Sequence, residues 1–176
     1  LGKVGDVQFA QGDVAGARTR YEESLDIARR LAAADRSSEI LQRDVSVSLN
    51  KVGVALVAQG DLAAARARFE EGLRIIQPSS EANPTSAELQ HDVAISQERL
   101  GDLLIRLVES PELQLASPRD PARRGGFVSF RHRDADAFVH ALEQAKIVAS
   151  YRAPDVVRFG LSPLYHRYMD IWALAE

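Results

Sequence analysis

The chain has 176 residues, 45% of them hydrophobic and 27% charged, which is enough to bury the core of one or two small domains. A net charge of −3 argues against nucleic acid as a partner, and no apolar run approaches the roughly 20 residues of a membrane span. The chain has no cysteine, which excludes disulfides and thiolate metal sites, fits a reducing compartment and leads us to expect the cytoplasm.

The first part of the chain repeats itself. The stretch LGKVGDVQFAQGDVAGARTRYEESLDI, from residue 1, aligns without a gap with LNKVGVALVAQGDLAAARARFEEGLRI, from residue 49, at an offset of 48 residues. A third copy begins in the same register, since Asp44 and Gly53 recur as Asp92 and Gly101. Such self-similarity is typical of a helical array. Because the repeat is already under way at Leu1, which is not Met, we expect the natural N-terminus to lie upstream.

The tetrapeptide AQGD predicts the turn between two helices in each repeat. Gly12 and Gly60 can adopt the left-handed conformation that ends the first helix. Asp13 and Asp61 can accept hydrogen bonds from the free amides that begin the second helix. Each repeat is therefore predicted to be a helical hairpin.

The second helix of each hairpin carries residues at three- and four-residue spacings that predict its buried face. These residues are Ala17, Tyr21, Ser24 and Leu25 in the first repeat and Ala65, Phe69, Gly72 and Leu73 in the second. The stretch PSSEANPTSAE that follows predicts a loop containing Pro78 and Pro84. Thr85 and Glu88 then predict a capping box that opens the next helix, which we expect to run from about residue 88 to 108.

Over about residues 1–104, this pattern resembles the tetratricopeptide repeat. The residues at that family's glycine, alanine, aromatic and small positions are Gly5, Ala17, Tyr21 and Ser24, and again Gly53, Ala65, Phe69 and Gly72. The chain departs from the family in its period, which is 48 residues against the roughly 34 of the usual repeat. The resemblance implies a scaffold whose concave face binds a peptide or another protein.

The third copy is interrupted, and a second composition takes over. RLVE stands where AQGD should recur, and prolines and aromatic residues become frequent. LQLAS, GGFVSFR and VVRFGL predict strands, and Asp134 predicts the cap of a helix whose buried face comprises Ala137, Phe138, Ala141, Leu142 and Ala145. Ser162 and Pro163 predict the start of a last helix through Tyr168 and Trp172. The fold class expected is mainly α, with repeats over 1–104 and a small α+β subdomain over 105–176.

This second segment resembles the C-terminal small domain of kynureninase, a pyridoxal-phosphate enzyme of the aspartate aminotransferase fold class. The resemblance is carried by SPRDPARRGG at 117–126, VSFRH at 128–132 and RAPDVVRFGLSPLY at 152–165. It implies that Arg158 corresponds to the arginine that holds the substrate's α-carboxylate, a task suited to a planar two-pronged donor. In this chain we expect Arg158 to be vestigial, because the rest of that site is not present in the 176 residues.

The cofactor of that family needs a Schiff-base lysine, a phosphate cradle and a partner for its pyridine nitrogen, and the resemblance implies that all lie in a large domain that precedes the small one. Lys3 and Lys51 are equivalent repeat positions, and Lys146 ends an amphipathic helix. We therefore expect no cofactor and no catalytic residue in this chain.

Other candidate sites are weak. Metal-ligand spacing is lacking among His91, His132, His140 and His166, so no metal is expected. A basic cluster of Arg119, Arg123, Arg124, Arg131 and Arg133 is interleaved with Asp120, Asp134 and Asp136, which indicates a solvated loop.

Three functions remain open at this point. The first is a protein-binding scaffold with a truncated kynureninase segment as its cap, not catalytically competent alone. The alternative is a truncated or split kynureninase, hydrolysing kynurenine to anthranilate and alanine with a large domain supplied in trans; the third is a non-functional fusion. Self-association through the C-terminal segment is expected, because in the resembled enzyme that domain packs on the large one.

Overall fold

The computed structural model describes residues 1–108, 111–120, 123, 127–144 and 148–160, apart from the side chains of Leu104, Leu107 and Val108. Within these residues the chain forms six helices and four strands. It divides into two compact units, Leu1–Ser96 and Gln97–Glu176. None of the described helices combines the length and the apolar character that crossing a bilayer requires.

Five helices follow one another from the start of the chain. They are α1 (Gly2–Ala10), α2 (Val14–Ala34), α3 (Glu39–Ala58), α4 (Leu62–Ala82) and α5 (Ala87–Val108). Helices α2 and α4 each have 21 residues and begin and end at equivalent positions of the 48-residue repeat. The prediction of one helix from about residue 88 to 108 is confirmed by α5.

The predicted turn between the two helices of each repeat is confirmed. Gly12 has a φ of 85° and Gly60 a φ of 82°, in the left-handed region that favours glycine. Asp13 Oδ1 accepts a hydrogen bond from Gly16 N at 2.9 Å, and Asp61 Oδ1 accepts one from Ala64 N at 3.0 Å. The same cap therefore starts α2 and α4.

The predicted buried face of the second helices is also confirmed, except that Ser24 is only half-buried. Tyr21 and Phe69 are buried, and each ring packs against a glycine of the preceding helix. A Cβ on Gly5 would lie 2.6 Å from Tyr21 Cε1, and one on Gly53 would overlap the Phe69 ring. These glycines let the two helices of a repeat approach closely.

The predicted loop at Pro78 is wrong, because α4 continues through this proline to Ala82. A proline removes one helical hydrogen bond, but Ile76 and Ser80, on either side of it, are buried and favour continuation of the helix. The predicted capping box is wrong by one residue. Ser86 Oγ, not Thr85, accepts from Leu89 N at 3.4 Å, as Ser38 Oγ does from Leu41 N in α3.

The second unit contains an antiparallel sheet with the strand order β1-β2-β4-β3. The strands are β1 (Gln114–Leu115), β2 (Phe127–Arg131), β3 (Ser150–Arg152) and β4 (Val156–Gly160). The three predicted strands correspond to β1, β2 and β4, and the small α+β character of this segment is confirmed. The sequence prediction missed β3, which has only three residues and no apolar alternation.

One face of this sheet forms a core with α6 (Ala135–Gln144), which packs against β3 and β4. Val128, Phe130, Val157 and Phe159 are all fully buried on that face. The phenyl rings of Phe130 and Phe159 meet edge to face with their centroids 6.0 Å apart.

The predicted face of α6 is wrong in part. Asp134 Oδ1 caps the helix through Ala137 N at 3.4 Å, as predicted. The buried residues, however, are Ala135, Val139 and Leu142, whereas Ala137 and Ala141 are exposed and Phe138 is half-buried. The prediction treated every alanine as apolar, and in the helix the larger Val139 and Leu142 decide which side faces the sheet. The predictions for Ala145 and for the last helix from Ser162 fall outside the described residues.

Candidate binding face of the repeats and the arginine of the sheet

Helix α3 contacts α2 and α4 through its apolar side. A Cβ on Gly72 of α4 would lie 3.5 Å from Leu49 Cβ, and Ser46 Oγ donates to Gly72 O at 2.9 Å. The α3 residues on this side, among them Leu49 and Leu56, are buried. Packing against the second helices therefore accounts for one half of the circumference of α3.

The other side of α3 reaches the first helices of the neighbouring repeats through polar groups. Lys51 Nζ donates to Asp6 Oδ1 of α1 at 2.8 Å and to Oδ2 at 2.7 Å. Asn50 Nδ2 donates to Ser96 Oγ of α5 at 2.9 Å. In the first unit, α1, α3 and the start of α5 thus form one layer, and α2 and α4 form the other.

Between these polar contacts lies a partly exposed surface that we call the α3 inner face. At 100° per residue, its members fall on one side of α3, opposite the buried Leu49 and Leu56. All of them are half-buried or exposed, and they are Val47, Asn50, Lys51, Val54 and Ala58. The face has an aliphatic floor at Val47 and Val54 with polar groups beside it.

The side-chain amide of Asn50 differs from the other polar groups on this face in its hydrogen bonding. Its side-chain nitrogen donates both to Ser96 Oγ and to Ser46 O, the latter at 3.2 Å. Its side-chain oxygen is buried and has no hydrogen-bond partner among the described residues. A buried acceptor without a donor costs about 1–3 kcal/mol, so a rotation of the Asn50 side chain that brings this oxygen to a ligand's N–H recovers part of that cost.

The side of the α3 inner face toward α1 is bounded by a network of Asp6, Tyr21 and Lys51. Tyr21 Oη donates to Asp6 Oδ1 at 2.9 Å, and Lys51 Nζ lies 5.6 Å from the centroid of the Tyr21 ring. Burial opposes the ionisation of Asp6, but hydrogen bonds from Lys51 and Tyr21 outweigh it and lower its pKa. Burial, together with the hydrogen bond to Asp6, raises the pKa of Tyr21 to about 12.

The side toward α5 is bounded by Arg43, whose Nε donates to the buried Asp92 of α5. Glu88 Oε2 lies 3.6 Å from Arg43 Nη1. The hydrogen bond to Asp92 raises the pKa of Arg43. Because a carboxylate neutralises the cation on each side, the face presents little net charge to a ligand.

The described lysines do not fit pyridoxal phosphate. The ammonium group of Lys51 is held by the Asp6 carboxylate, and Lys3 is exposed on α1. A Schiff base uses the side-chain nitrogen itself, so forming one on Lys51 would break its contacts with Asp6. Lys146 lies outside the described residues.

Arg158, the residue predicted to correspond to a carboxylate-binding arginine, lies in β4 of the second unit. Strand alternation places its side chain on the sheet face opposite Val157 and Phe159. It is half-buried, and its Cζ lies 4.3 Å from the centroid of the Phe127 ring. Its Nε is buried and has no hydrogen-bond partner in the part of the chain that the structure describes.

The remaining candidates stay apart from one another. His132 stacks on Phe138 at 4.7 Å, and its Nδ1 accepts from Asp134 N at 3.2 Å. His140 Nδ1 lies 3.4 Å from Glu143, His91 is exposed, and His166 is outside the described residues. Searching the described ranges finds no group of three His, Cys, Asp or Glu able to hold a metal ion.

A carboxylate neutralises part of the basic cluster predicted from the sequence. Arg131 Nη1 pairs with Asp155 at 2.8 Å, beside a cleft of about 360 Å³ that Glu112, His132 and Arg133 also line. Arg124 falls outside the described residues.

Comparison with known proteins finds a family match in each of the two parts of the chain. Residues 93–176 match the family model of the kynureninase C-terminal domain, and residues 45–77 match a tetratricopeptide repeat. The chain thus carries a stretch similar to the tetratricopeptide repeat and a stretch similar to the kynureninase C-terminal domain. Both resemblances inferred from the sequence are thereby confirmed.

The kynureninase of Pseudomonas fluorescens is 41% identical over 75 residues, which are 40% of this chain and 18% of that enzyme. The kynureninases of Burkholderia mallei (strain SAVP1) and Burkholderia pseudomallei (strain K96243) are each 37% identical over 79 residues, which are 43% of this chain and 19% of the enzyme. The chain therefore spans about a fifth of the length of these curated relatives. Arg158 lies within the matched kynureninase segment.

The sequence prediction did not single out Asn50, Asp6 or Asp92 as site residues. The equivalents of Asn50 in the other repeats are Gly2 and Glu98, so a search for recurring residues passes over this position. The signal that could have found it is the helical wheel of α3, which places Asn50 beside Val47 and Val54.

Proposed function

We propose that the repeats bind an extended segment of another protein on the α3 inner face. The observation that carries this proposal is the buried side-chain oxygen of Asn50, which lacks a donor among the described residues. A backbone N–H of an extended peptide supplies such a donor. The neighbouring Val47 and Val54 offer apolar surface to a side chain of the same peptide.

The charges around the α3 inner face indicate which ligands it favours. Lys51 is paired with Asp6, and Arg43 with Asp92, so neither cation attracts an acidic ligand strongly. The ligand proposed is therefore a segment with apolar side chains and a free backbone amide, not a polyanion. This is consistent with the net charge of −3, which gives no general attraction for anions.

Selection of peptides from a random decapeptide library on the full chain would test this proposal. Selected peptides should bind about tenfold more weakly to Val54→Glu, which charges the floor, and to Asn50→Leu, which removes the acceptor. Arg74→Glu serves as the matched control, because Arg74 is exposed on α4, in the other layer. Equal affinity for the original chain and both α3 variants, with circular dichroism showing that they fold, would contradict the proposal.

The surroundings of Arg158 favour a second function. A guanidinium that stacks on Phe127, and whose Nε has no partner among the described residues, can donate to a carboxylate. We propose that this segment completes a kynureninase carboxylate site only when a large domain is supplied in trans. The chain alone is then catalytically incompetent, since the described residues do not fit the cofactor and since binding a substrate's carboxylate by itself lowers no barrier.

Two assays separate these possibilities. The chain alone, mixed with pyridoxal phosphate and kynurenine, should show no Schiff-base absorbance beyond that of surface amines and should release no anthranilate. Strong absorbance that Lys146→Ala abolishes would overturn this expectation. In the second assay, the chain is added to Pseudomonas fluorescens kynureninase lacking its matched C-terminal part. Release of anthranilate that Arg158→Ala removes supports a function in trans, and no release with the original chain contradicts it.

A further inference from the structure

Two valines on α1 are exposed at positions that are buried one repeat later. Val4 is 54% exposed and Val7 is 55% exposed. Their equivalents 48 residues on, Val52 and Ala55 of α3, are 1% and 0% exposed. Both α1 and α3 are the first helix of a repeat, so the difference in exposure comes from what packs against each of them.

The neighbours of α3 identify what covers Val52 and Ala55. Gly53 faces Phe69 of α4. At 100° per residue, Val52 and Ala55 lie about 100° and 160° away from Gly53 around the helix. They are therefore on the side turned away from α4, toward α2, which is the other second helix that contacts α3.

Helix α1 has only one such neighbour among the described residues. Gly5 faces Tyr21 of α2, as Gly53 faces Phe69 of α4. Val4 and Val7, which we call the α1 outer stripe, point away from α2 by the same geometry, and nothing described covers them. The stripe is thus the surface that in α3 is filled by the second helix of the preceding repeat.

We propose that the α1 outer stripe is the docking surface for the second helix of a further 48-residue repeat, placed in register ahead of α1. The helix that fits it carries the α2 pattern, with alanines and a leucine on its inner side, because α2 fills the equivalent surface of α3. This inference does not depend on the peptide-binding proposal, since neither valine belongs to the α3 inner face.

An extended chain tests the proposal. In it, a copy of residues 12–48 is joined directly before residue 1, which supplies an α2-like helix and the first half of a complete first helix. The melting temperature of the repeat unit should rise by at least about 4 °C. In the extended chain, Val4→Lys with Val7→Lys should remove most of that rise, whereas in the original chain the same pair should change the melting temperature by less than about 2 °C.

Ala10→Lys is the matched control, because Ala10 is exposed on α1 and its equivalent Ala58 is exposed on α3 as well. It should have no effect in either chain. A rise that survives the double lysine variant, or no rise at all, would overturn the proposal. Sedimentation of the original chain provides the remaining outcome: a dimer that the double lysine variant dissociates would assign the stripe to a second copy of this chain instead.

Discussion

Tyr21 and Phe69 occupy equivalent positions of successive repeats, and their rings differ only by the hydroxyl group of Tyr21. That hydroxyl donates to Asp6, which has no counterpart in the second repeat, where Val54 stands instead. The first repeat therefore contains a polar contact where the second has only apolar packing. The contact connects α1 to α2, and Lys51 extends it to α3.

The raised pKa of Tyr21 predicts a specific dependence of stability on pH. The pKa is about 12 in the folded chain against 10.0 for the free side chain. The stabilisation is therefore fully present below pH 10 and is lost as the pH rises toward 12, because the unfolded state releases its proton first. Over that window the unfolding free energy should fall by roughly 1 kcal/mol per pH unit from this group.

Tyr21→Phe isolates this effect, because Phe69 shows that the repeat accepts a phenylalanine at this position. At pH 7 the variant should lose about 1 kcal/mol from the missing hydrogen bond. Urea unfolding between pH 9 and 12 should show a shallower decline for the variant than for the original chain. Identical declines would show that folding does not raise the pKa of Tyr21.

Gly53→Ala tests the close approach of α3 and α4. The new methyl group would overlap the Phe69 ring, which is 1% exposed and has no room to move. Overpacking of this kind costs about 1–3 kcal/mol and outweighs the gain of up to about 1 kcal/mol in helix propensity. Denaturant unfolding should therefore show a loss of stability.

Gly2→Ala is the control for this substitution. Its methyl group would lie 3.6 Å from Lys51 Nζ, an ordinary contact. Stability should stay the same or increase slightly. If both alanine variants lower stability equally, the loss at position 53 has a cause other than the Phe69 ring.

Among the elements, α4 is the one that departs most from what its sequence predicts. Pro78 cannot donate the hydrogen bond that the carbonyl of residue 74 would accept, yet the helix continues to Ala82. Arg30 stands at the equivalent position of α2, which ends at the equivalent residue. The 48-residue period thus decides where the helix ends, and local propensity does not.

Pro78→Ala should stabilise the chain. The proline is exposed, so its removal costs no packing, and alanine restores a helical hydrogen bond. A proline inside a helix costs about 3 kcal/mol relative to alanine, and the greater freedom of the unfolded variant offsets part of this gain. Thermal unfolding should show a rise that Pro84→Ala, in the turn after α4, does not reproduce. Equal effects of the two variants would contradict this account.

An element can be predicted from the sequence when its own residues form a clear local pattern. The turns at Gly12 and Gly60 were predictable because a glycine is followed by a capping aspartate in both repeats. Strands β2 and β4 were also predictable, because each has alternating apolar residues. In contrast, β3 is three residues long and is defined by its pairing with β4, a contact that no local pattern encodes.

At the scale of the whole molecule, both units carry exposed apolar side chains. In the second unit, Phe127 on the sheet is 46% exposed, and Val148, just before β3, is 51% exposed. Exposed aromatic surface favours association, and in the resembled enzyme this domain packs on a large one. Self-association through this segment stays a prediction, as it was from the sequence.

Sedimentation at increasing concentration should show a reversible dimer or larger species. Phe127→Ser should weaken it, because the substitution removes the exposed ring without touching the buried face of the sheet. Arg133→Ser, at an exposed position without aromatic surface, is the control. A monomer at high concentration would contradict the prediction.

The pairing within the second unit also governs when the parts of this chain can fold. Val128 pairs with Phe159, about 30 residues further on, whereas the helices α1 to α4 each pack on a helix next to them in sequence. Distant pairings form slowly, and β2 has no β4 to pair with until that strand has left the ribosome. During synthesis the helices that precede β2 can therefore assemble first, while Val128 and Phe130 stay exposed to solvent. Chaperone demand should consequently concentrate in the interval between the emergence of β2 and that of β4 from the ribosome.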